Sequence, residues 1–510
     1  MIPPNKNRKM VVRLPVLAAS FALFLMLSSG LEAAGPVGPK TMSPQANEVD
    51  YDNSKFGSDP VYDDKPYSAE EQIKIYGDKK AVEVVRPLFE IFRPQYSEGP
   101  FSQGDNPFGT KNTSSLQFLA FGDWRTAVAF NDNGDKEIGQ IATRLNLDLD
   151  LKLTGTERIH AFIRPLDKGG NFTRHEFAGG DREGGVELEL DGNIETLFFE
   201  GDIGAIYSGL SGEYASFDLP IAVGLTPYIF QNGVWVEDAF TGGAFTIAAK
   251  TSRALNISNM DFTFFSGFDK VTTPAATNAD GRLNDDDLSI FGLAAFFDAN
   301  EGYWEAGFGH VEGHDELDDI DYQSFTVAFT SRYGGWLSNS LRFVSTFGQD
   351  RANDAQQTAD GQIFLVENSL ITSKPSTLVP YFNFWVGLDR PQPLADGSGL
   401  LKNTGINFET DGLTGFPKLD DTGHDTFGGA IGVSYIFNLD QQLVVEAASV
   451  RTIGDDFEPG RAAVADQVAF SIRYQRPFAP GWIVRTDAMV GILDEKEDLA
   501  GVRLEIRRKF

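Results

Sequence analysis

The sequence predicts a transmembrane β-barrel, an up-and-down antiparallel sheet of about 18 strands preceded by a short, mostly irregular N-terminal extension. Three observations predict it. An export signal opens the chain, and no later apolar run is long enough to be a membrane helix. From about residue 114 the side chains alternate with a period of two, and short connections alternate with long ones.

Lys6, Arg8, Lys9 and Arg13 precede the apolar stretch from Leu14 to Leu31, and Ala33, Ala34 and Gly35 close it. That order is the signature of a secretory signal peptide, here residues 1–34, cut after Ala34. A run of this length also suits an anchor, but small residues end it and nothing basic follows. Beyond Leu31 no segment approaches the roughly 20 apolar residues of a membrane helix. The mean hydropathy of −0.22 is too polar for a helical bundle. A closed barrel is the other structure that satisfies every backbone group in lipid. With no cysteine among 510 residues, stability must come from strand ladders and burial. The 73 acidic residues outnumber 43 basic ones, giving a formal charge of −30, which excludes nucleic acid as a partner.

Residues 35–113 are rich in Pro, Asp and Tyr and lack periodicity, so they read as a periplasmic or plug-like extension. Ser68 is placed to cap one short helix over Ala69–Ile75, with Glu71 at the capping-box position. The barrel occupies residues 114–510. Its clearest strand is Arg144–Thr154, where Leu145, Leu147, Leu149, Leu151 and Leu153 face away from Asn146, Asp148, Asp150 and Lys152. The pattern returns at Phe325–Phe329, Phe382–Leu388, Phe427–Phe437 and Val468–Tyr474. Soluble sandwiches alternate too, so the connections discriminate. Short turns fall near 298–301, 334–338, 374–376, 438–441 and 476–481. Long polar loops fall near 269–286, 313–320, 350–360, 391–424 and 454–463. This is the plan of a barrel with periplasmic turns and external loops. Residues 164–245 parse least clearly. Tyr303, Trp304, Tyr333, Trp336, Tyr435 and Trp482 flank the short turns, as an interfacial aromatic girdle does.

In the final strand Val502, Leu504 and Ile506 alternate with Arg503, Glu505 and Arg507, and the chain stops at Phe510. The sequence here resembles the Gram-negative outer-membrane porins, whose last strand ends in Phe. The resemblance implies residence in the outer membrane and recognition of that strand by the barrel-assembly machinery. Arg508 departs from the apolar residue usual at the third position from the end.

Alternation nominates the lumen lining. The inward register holds Arg144, Arg158, Arg164, Arg332, Arg342, Arg473, Arg485 and Arg503, together with Asp148, Asp150, Glu305, Glu446, Asp487 and Glu505. One reading is a channel whose arginines contact anionic or oxygen-rich solutes. The other is simple cross-strand pairing that wets the lumen. The loops are acidic, as at Asp285-Asp286-Asp287, which suits either a solvated negative surface, the commoner case, or contact with lipopolysaccharide through divalent cations. The apolar stretch 220–243 suits an inward-folded constriction loop carrying Tyr228, Gln231, Asn232, Trp235, Glu237 and Asp238. It loosely resembles a segment of the alginate-export and related substrate-specific porin families. Gly224 and Gly233 match the pattern, whereas Leu225-Thr226 stands where those families have Arg-Gln and Phe245 lacks the following Asp.

No phosphate loop or cofactor fingerprint appears, and no cofactor is expected. His310 and His314 lie about 13 Å apart if extended, too far to share a metal ion. The residues and the resemblance together predict a passive porin for small polar or anionic solutes, in outer-membrane lipid, and are compatible with a homo-oligomer. Polysaccharide export, or a barrel that transports nothing, remains the alternative.

Overall fold

The computed structural model describes residues 85–92 and 107–510, apart from 135, 180–183, 278–282, 352–355, 410–411, 438–439 and 456–459. The expected signal peptide and the helix at 69–75 lie outside the described residues.

The described chain forms a closed antiparallel barrel of 18 strands. The first strands are β1 (Gln117–Asp132) and β2 (Glu137–Lys152). β3 and β4 are each interrupted. β3 runs as Arg158–Ile163 and then Asn171–Gly179, both against β2, while β4 runs as Val186–Glu187 and then Ile194–Asp202. Helix α1 (Ile203–Ser211) leads to β5 (Pro220–Phe230), β6 (Val236–Ser252) and β7 (Ile257–Asp269). Then come β8 (Leu288–Ala299), β9 (Gly302–Gly313), β10 (Tyr322–Tyr333) and β11 (Leu337–Phe347). β12 (Asp360–Leu370), β13 (Leu378–Arg390), β14 (Thr426–Phe437) and β15 (Gln441–Thr452) follow. β16 (Gln467–Ala479), β17 (Trp482–Leu493) and β18 (Leu499–Lys509) complete the wall. β18 closes on β1, from Asp123↔Lys509 to Asp132↔Ala500.

Closure follows from the alternation. Each strand turns one register outward, and that register stays exposed although it is apolar. Phe130, Phe264, Phe291, Phe308, Phe325, Phe364, Phe384, Phe427 and Phe470 all stand exposed around the wall. In water so continuous an apolar surface would be unstable, and a bilayer is what covers it. The barrel therefore spans a membrane. At the short-turn end Trp304 lies between Phe297 and Phe329, and Arg508 covers the ring of Trp482. The tightest turn there has Asn300 and Glu301 at φ 57° and 59°, the primed geometry of a two-residue hairpin.

Part of the extension joins the wall as a strand. Phe89–Ile91 pairs with Ala120, Leu119 and Phe118 of β1, below the point where the chain ends beside Gly122. A short final strand leaves that edge open, and the extension covers it.

The interior is far from hollow. At the long-loop end, β8 to β13 turn apolar side chains inward, among them Leu288, Ile290, Val311, Tyr322, Val344, Ile363, Leu365 and Trp385. Water would face them unless something covered them. Inserted segments do so, contributing Trp235, Leu394, Leu400, Leu401 and Phe408 to the same buried cluster.

Candidate transport path

Two inserted segments shape the lumen. The first is the tip between β5 and β6. Its compactness follows from three successive residues with left-handed backbone, Gln231 (φ 53°), Asn232 (φ 56°) and Gly233 (φ 77°). Residues 220–243, expected as a long connection, are thus mostly strand with a tight tip. That tip crosses to the far wall. Trp235 Nε1 donates to Ser324 Oγ at 3.0 Å, and Thr326 Oγ1 donates to Gln231 Oε1 at 2.8 Å, both on β10. Tyr228 is buried against Phe240 at 4.4 Å. Asp238 accepts the Thr272 and Ala239 amides at 2.7 and 2.8 Å. The expected tip residues thus lie on or beside this insertion.

The second is the connection 391–425 between β13 and β14. The sequence reading placed it outside as a polar loop, and the structure corrects this. Leu394, Leu400, Leu401, Ile406, Phe408, Leu413, Phe416 and Leu419 recur every few residues, and the apolar lumen wall gives them a place to bury. Ala395 and Asp396 add a parallel rung to Val236 and Glu237 of β6. Leu394 N donates to Trp235 O at 2.8 Å, and Asn403 Nδ2 to Asn232 O at 2.9 Å, so the two insertions brace each other. Phe408 stands edge-on to Trp385, with centroids 5.2 Å apart. The loop reaches the opposite side where Asn131 and Gln140 donate to Thr414 O at 2.5 and 2.8 Å.

Glu446 on β15 anchors the middle of this loop. Its carboxylate is 1% exposed. It accepts Ile406 N and Asn407 N at 2.9 Å each, Asn407 Nδ2 at 2.7 Å and the Tyr381 hydroxyl. Gly405 is required beside it, since a Cβ there would lie 2.3 Å from Glu446 Oε2. Lys402 Nζ bridges Asp396 at 2.5 Å and Glu237 at 2.9 Å. Burial pushes the Asp396 carboxyl up to about 7 despite Lys402, and pushes His424 down to about 4.

The charged inward side chains gather on β16–β18 and β1–β4, where the loop also makes contacts. Arg473, Arg485 and Arg503 converge on Asp487. Arg473 Nε donates to Asp487 Oδ1 at 2.7 Å, and Arg485 Nε and Arg503 Nη2 to Asp487 Oδ2 at 2.9 Å. Glu409 of the inserted loop joins them, 2.7 Å from Arg473 Nη1. Toward the short-turn end, Arg125 meets Glu505 at 2.7 Å, and Arg507 lies between Glu505 at 3.2 Å and Asp123 at 3.3 Å. Arg144 lies over the Phe172 ring and donates to Asn146.

Below these, a cavity of about 890 Å³ is lined by Asp148, Asp150, His160, Phe162, Phe198 and Phe510, among others. Arg158 is 3.7 Å from Asp150 and 3.8 Å from Glu200, and His160 Nε2 is 3.1 Å from Glu200. The charged lining thus changes along the barrel, three arginines converging on Asp487 in the middle and Asp148, Asp150 and Glu200 mixed with Arg158 and His160 near the short turns.

The remaining expected lining residues stand apart. Arg164 pairs with Asp167 and Glu195 in the interruption of β3. Arg342 pairs with Glu367 at 2.8 Å, with Glu305 on the next strand but one. Arg332 is exposed at the short-turn end of β10. Sequence reasoning missed Arg125, which shares the inward register with Ala127 and Ala129, small residues that carry no alternation signal. It also missed Tyr381, Asn407 and Glu409, whose roles depend on the inserted loop.

An 18-stranded wall with an apolar exterior and a partly filled, charged interior defines a large transmembrane β-barrel. No known protein family matches the chain, and no curated protein matches it. Solved structures do resemble it in fold. Pseudomonas aeruginosa OpdK, crystallised with vanillate, has a TM-score of 0.52 at 12% identity, over 77% of this chain and 98% of that one. Acinetobacter baumannii OccAB4 has a TM-score of 0.51 at 11% identity, over 79% of this chain and 100% of its own. A BenF-like porin from Pseudomonas fluorescens Pf-5 has a TM-score of 0.51 at 12% identity, over 77% and 98%.

Proposed function

We propose that the protein is an outer-membrane porin for passive uptake of small polar solutes, preferring those that carry a carboxylate. One observation carries this reading. Beside the inserted loop, Arg473, Arg485 and Arg503 converge on Asp487, and Glu409 joins Arg473 and Arg485. Three guanidinium groups gathered on one side of the lumen present a dense array of positive donors in a confined space, where screening is weak. A carboxylate entering there exchanges water for charge-assisted guanidinium hydrogen bonds. Beyond this cluster Arg125 and Arg507 are paired with Glu505 and Asp123, and Asp148 and Asp150 disfavour retention of an anion at the exit. No energy input is required, since the concentration gradient drives transit. The fold shared with a porin crystallised with vanillate, itself a carboxylate, is consistent with this preference.

Liposome swelling tests it with solutes of matched size. A small aromatic carboxylate should enter several-fold faster than the corresponding amide, and R473Q/R485Q should abolish the difference. Equal rates for both solutes in the unmodified protein would refute the preference. Absence of swelling with any small solute would refute the channel.

A further inference from the structure

The apolar exterior continues past the last rung of the sheet. Beyond β4 the segment Ile203–Leu219 hangs from the short-turn end as an apron. Asp202 pins both of its ends, accepting Ala205 N at 2.7 Å and Leu219 N at 2.8 Å. Gly212, at φ 76°, stops α1 by donating to Ser208 O at 3.1 Å. The inner face of α1 packs on the preceding chain. Gly209 approaches Phe108 O so closely that a Cβ would sit 1.6 Å from it. Asn112 Nδ2 donates to Glu157 Oε2 at 2.7 Å, which ties that chain to the foot of β3.

Among the described residues the outer face is left largely uncovered. Tyr207 is 50% exposed, Leu210 68%, Tyr214 80% and Phe217 46%. Four large apolar or aromatic side chains in one short segment need a cover. The same surface runs on into the lipid-facing wall, because Ile159, Phe199 and Val223 share the outward register with Gly201 and Ile221 at its foot. A cleft of about 620 Å³ between wall and apron is lined by Lys111, Tyr214, Phe217 and Ile221. Lys111 Nζ lies 3.8 Å above the Tyr214 ring. Tyrosines beside a cation, at the edge of an apolar belt, are the chemistry of the headgroup level.

We propose that this apron is seated in the periplasmic leaflet of the membrane. Leu210 and Phe217 reach the acyl boundary, and Tyr207, Tyr214 and Lys111 lie among phospholipid headgroups. The apron so fixes the height at which the barrel sits. The inference rests on the outer-membrane placement and is independent of the solute.

The chain has no cysteine, so single cysteines can be spin-labelled unambiguously. Labels at Leu210→Cys and, independently, Tyr207→Cys are compared with Phe264→Cys on the wall and Lys496→Cys in a loop. All are read in phosphatidylethanolamine–phosphatidylglycerol vesicles. The ratio of collisions with oxygen to collisions with a water-soluble nickel chelate is expected to be several-fold higher at 210 than at 496, approaching that at 264. A ratio equal to that at 496 overturns the proposal. So does protection from both reagents, which would mean that protein and not lipid covers the apron. A water-like reading at 264 as well would overturn the membrane placement, and the apron with it.

Discussion

Removal of the Glu446 carboxylate should release the inserted loop without unfolding the barrel. In Glu446→Ala, the amides of Ile406 and Asn407, the Asn407 side-chain amide and the Tyr381 hydroxyl lose their shared acceptor. A hydrogen bond to a charged group contributes about 1.5–3 kcal/mol, and a buried donor left unmade costs a similar amount. The four contacts are not additive, since freed groups recover part of their bonding from water. A loss on the order of 4 kcal/mol corresponds to about a thousandfold shift toward the undocked loop. The strand ladders on either side of β15 do not involve this carboxylate, so the wall should remain. Trypsin reports undocking, because Lys402 and Lys418 lie within the loop and are held in ion pairs with Asp396 and Asp421. The variant should be cut at these lysines in reconstituted vesicles, and its single-channel conductance should rise and become noisy. Unchanged conductance together with full trypsin resistance would refute the reasoning.

Two further outcomes follow from the same geometry. Gly233→Ala should weaken the β5–β6 tip by about 1–2 kcal/mol from its left-handed backbone alone, and the new Cβ would lie 2.1 Å from Glu237 Oε2. Its heat-modified mobility on detergent gels should shift at lower temperature than that of the unmodified chain, and an identical transition would contradict the geometry. His424 is held down to about 4 by burial, so its neutral form favours the docked loop. That contribution is complete above the ordinary histidine value near 6.5 and is lost as pH falls through about 4, at most about 3 kcal/mol. Asp396 and Asp420, raised by burial to about 7 and about 6, act in the opposite sense, their contributions fading as pH rises. The readout is therefore the difference between His424→Gln and the unmodified chain. The variant should lack part of the acid-induced conductance change, and superimposable pH profiles would exclude His424 as its source.

The wall was legible because a barrel strand must alternate. Leu145 to Leu153 show this without tertiary information, and the alternation of short turns with long loops gave the strand number. The interior was less legible. Loop 391–425 reads as polar by composition, with Asp396, Asp420, Asp421 and several glycines among its apolar residues. Whether such a loop stays outside depends on the strands it would cover, and β8 to β13 concentrate their buried apolar inward residues toward the long-loop end. The arginines on β16, β17 and β18 were found from register alone. Their convergence on Asp487 depends on neighbouring strands from distant turns of the chain, and no single strand shows it. Helix α1 was missed although its signals are present, Asp202 before it and Gly212 after it. The interruptions of β3 and β4 hid the boundaries that would have isolated those signals.

The central claim is that the open path carries its selectivity on the arginine wall. Reversal potentials across a salt gradient in planar bilayers test it most directly, with the unmodified protein beside R473Q/R485Q/R503Q. The account predicts anion preference in the first and its loss or inversion in the second. Cation preference in the unmodified protein, or identical reversal potentials for the two, would contradict it.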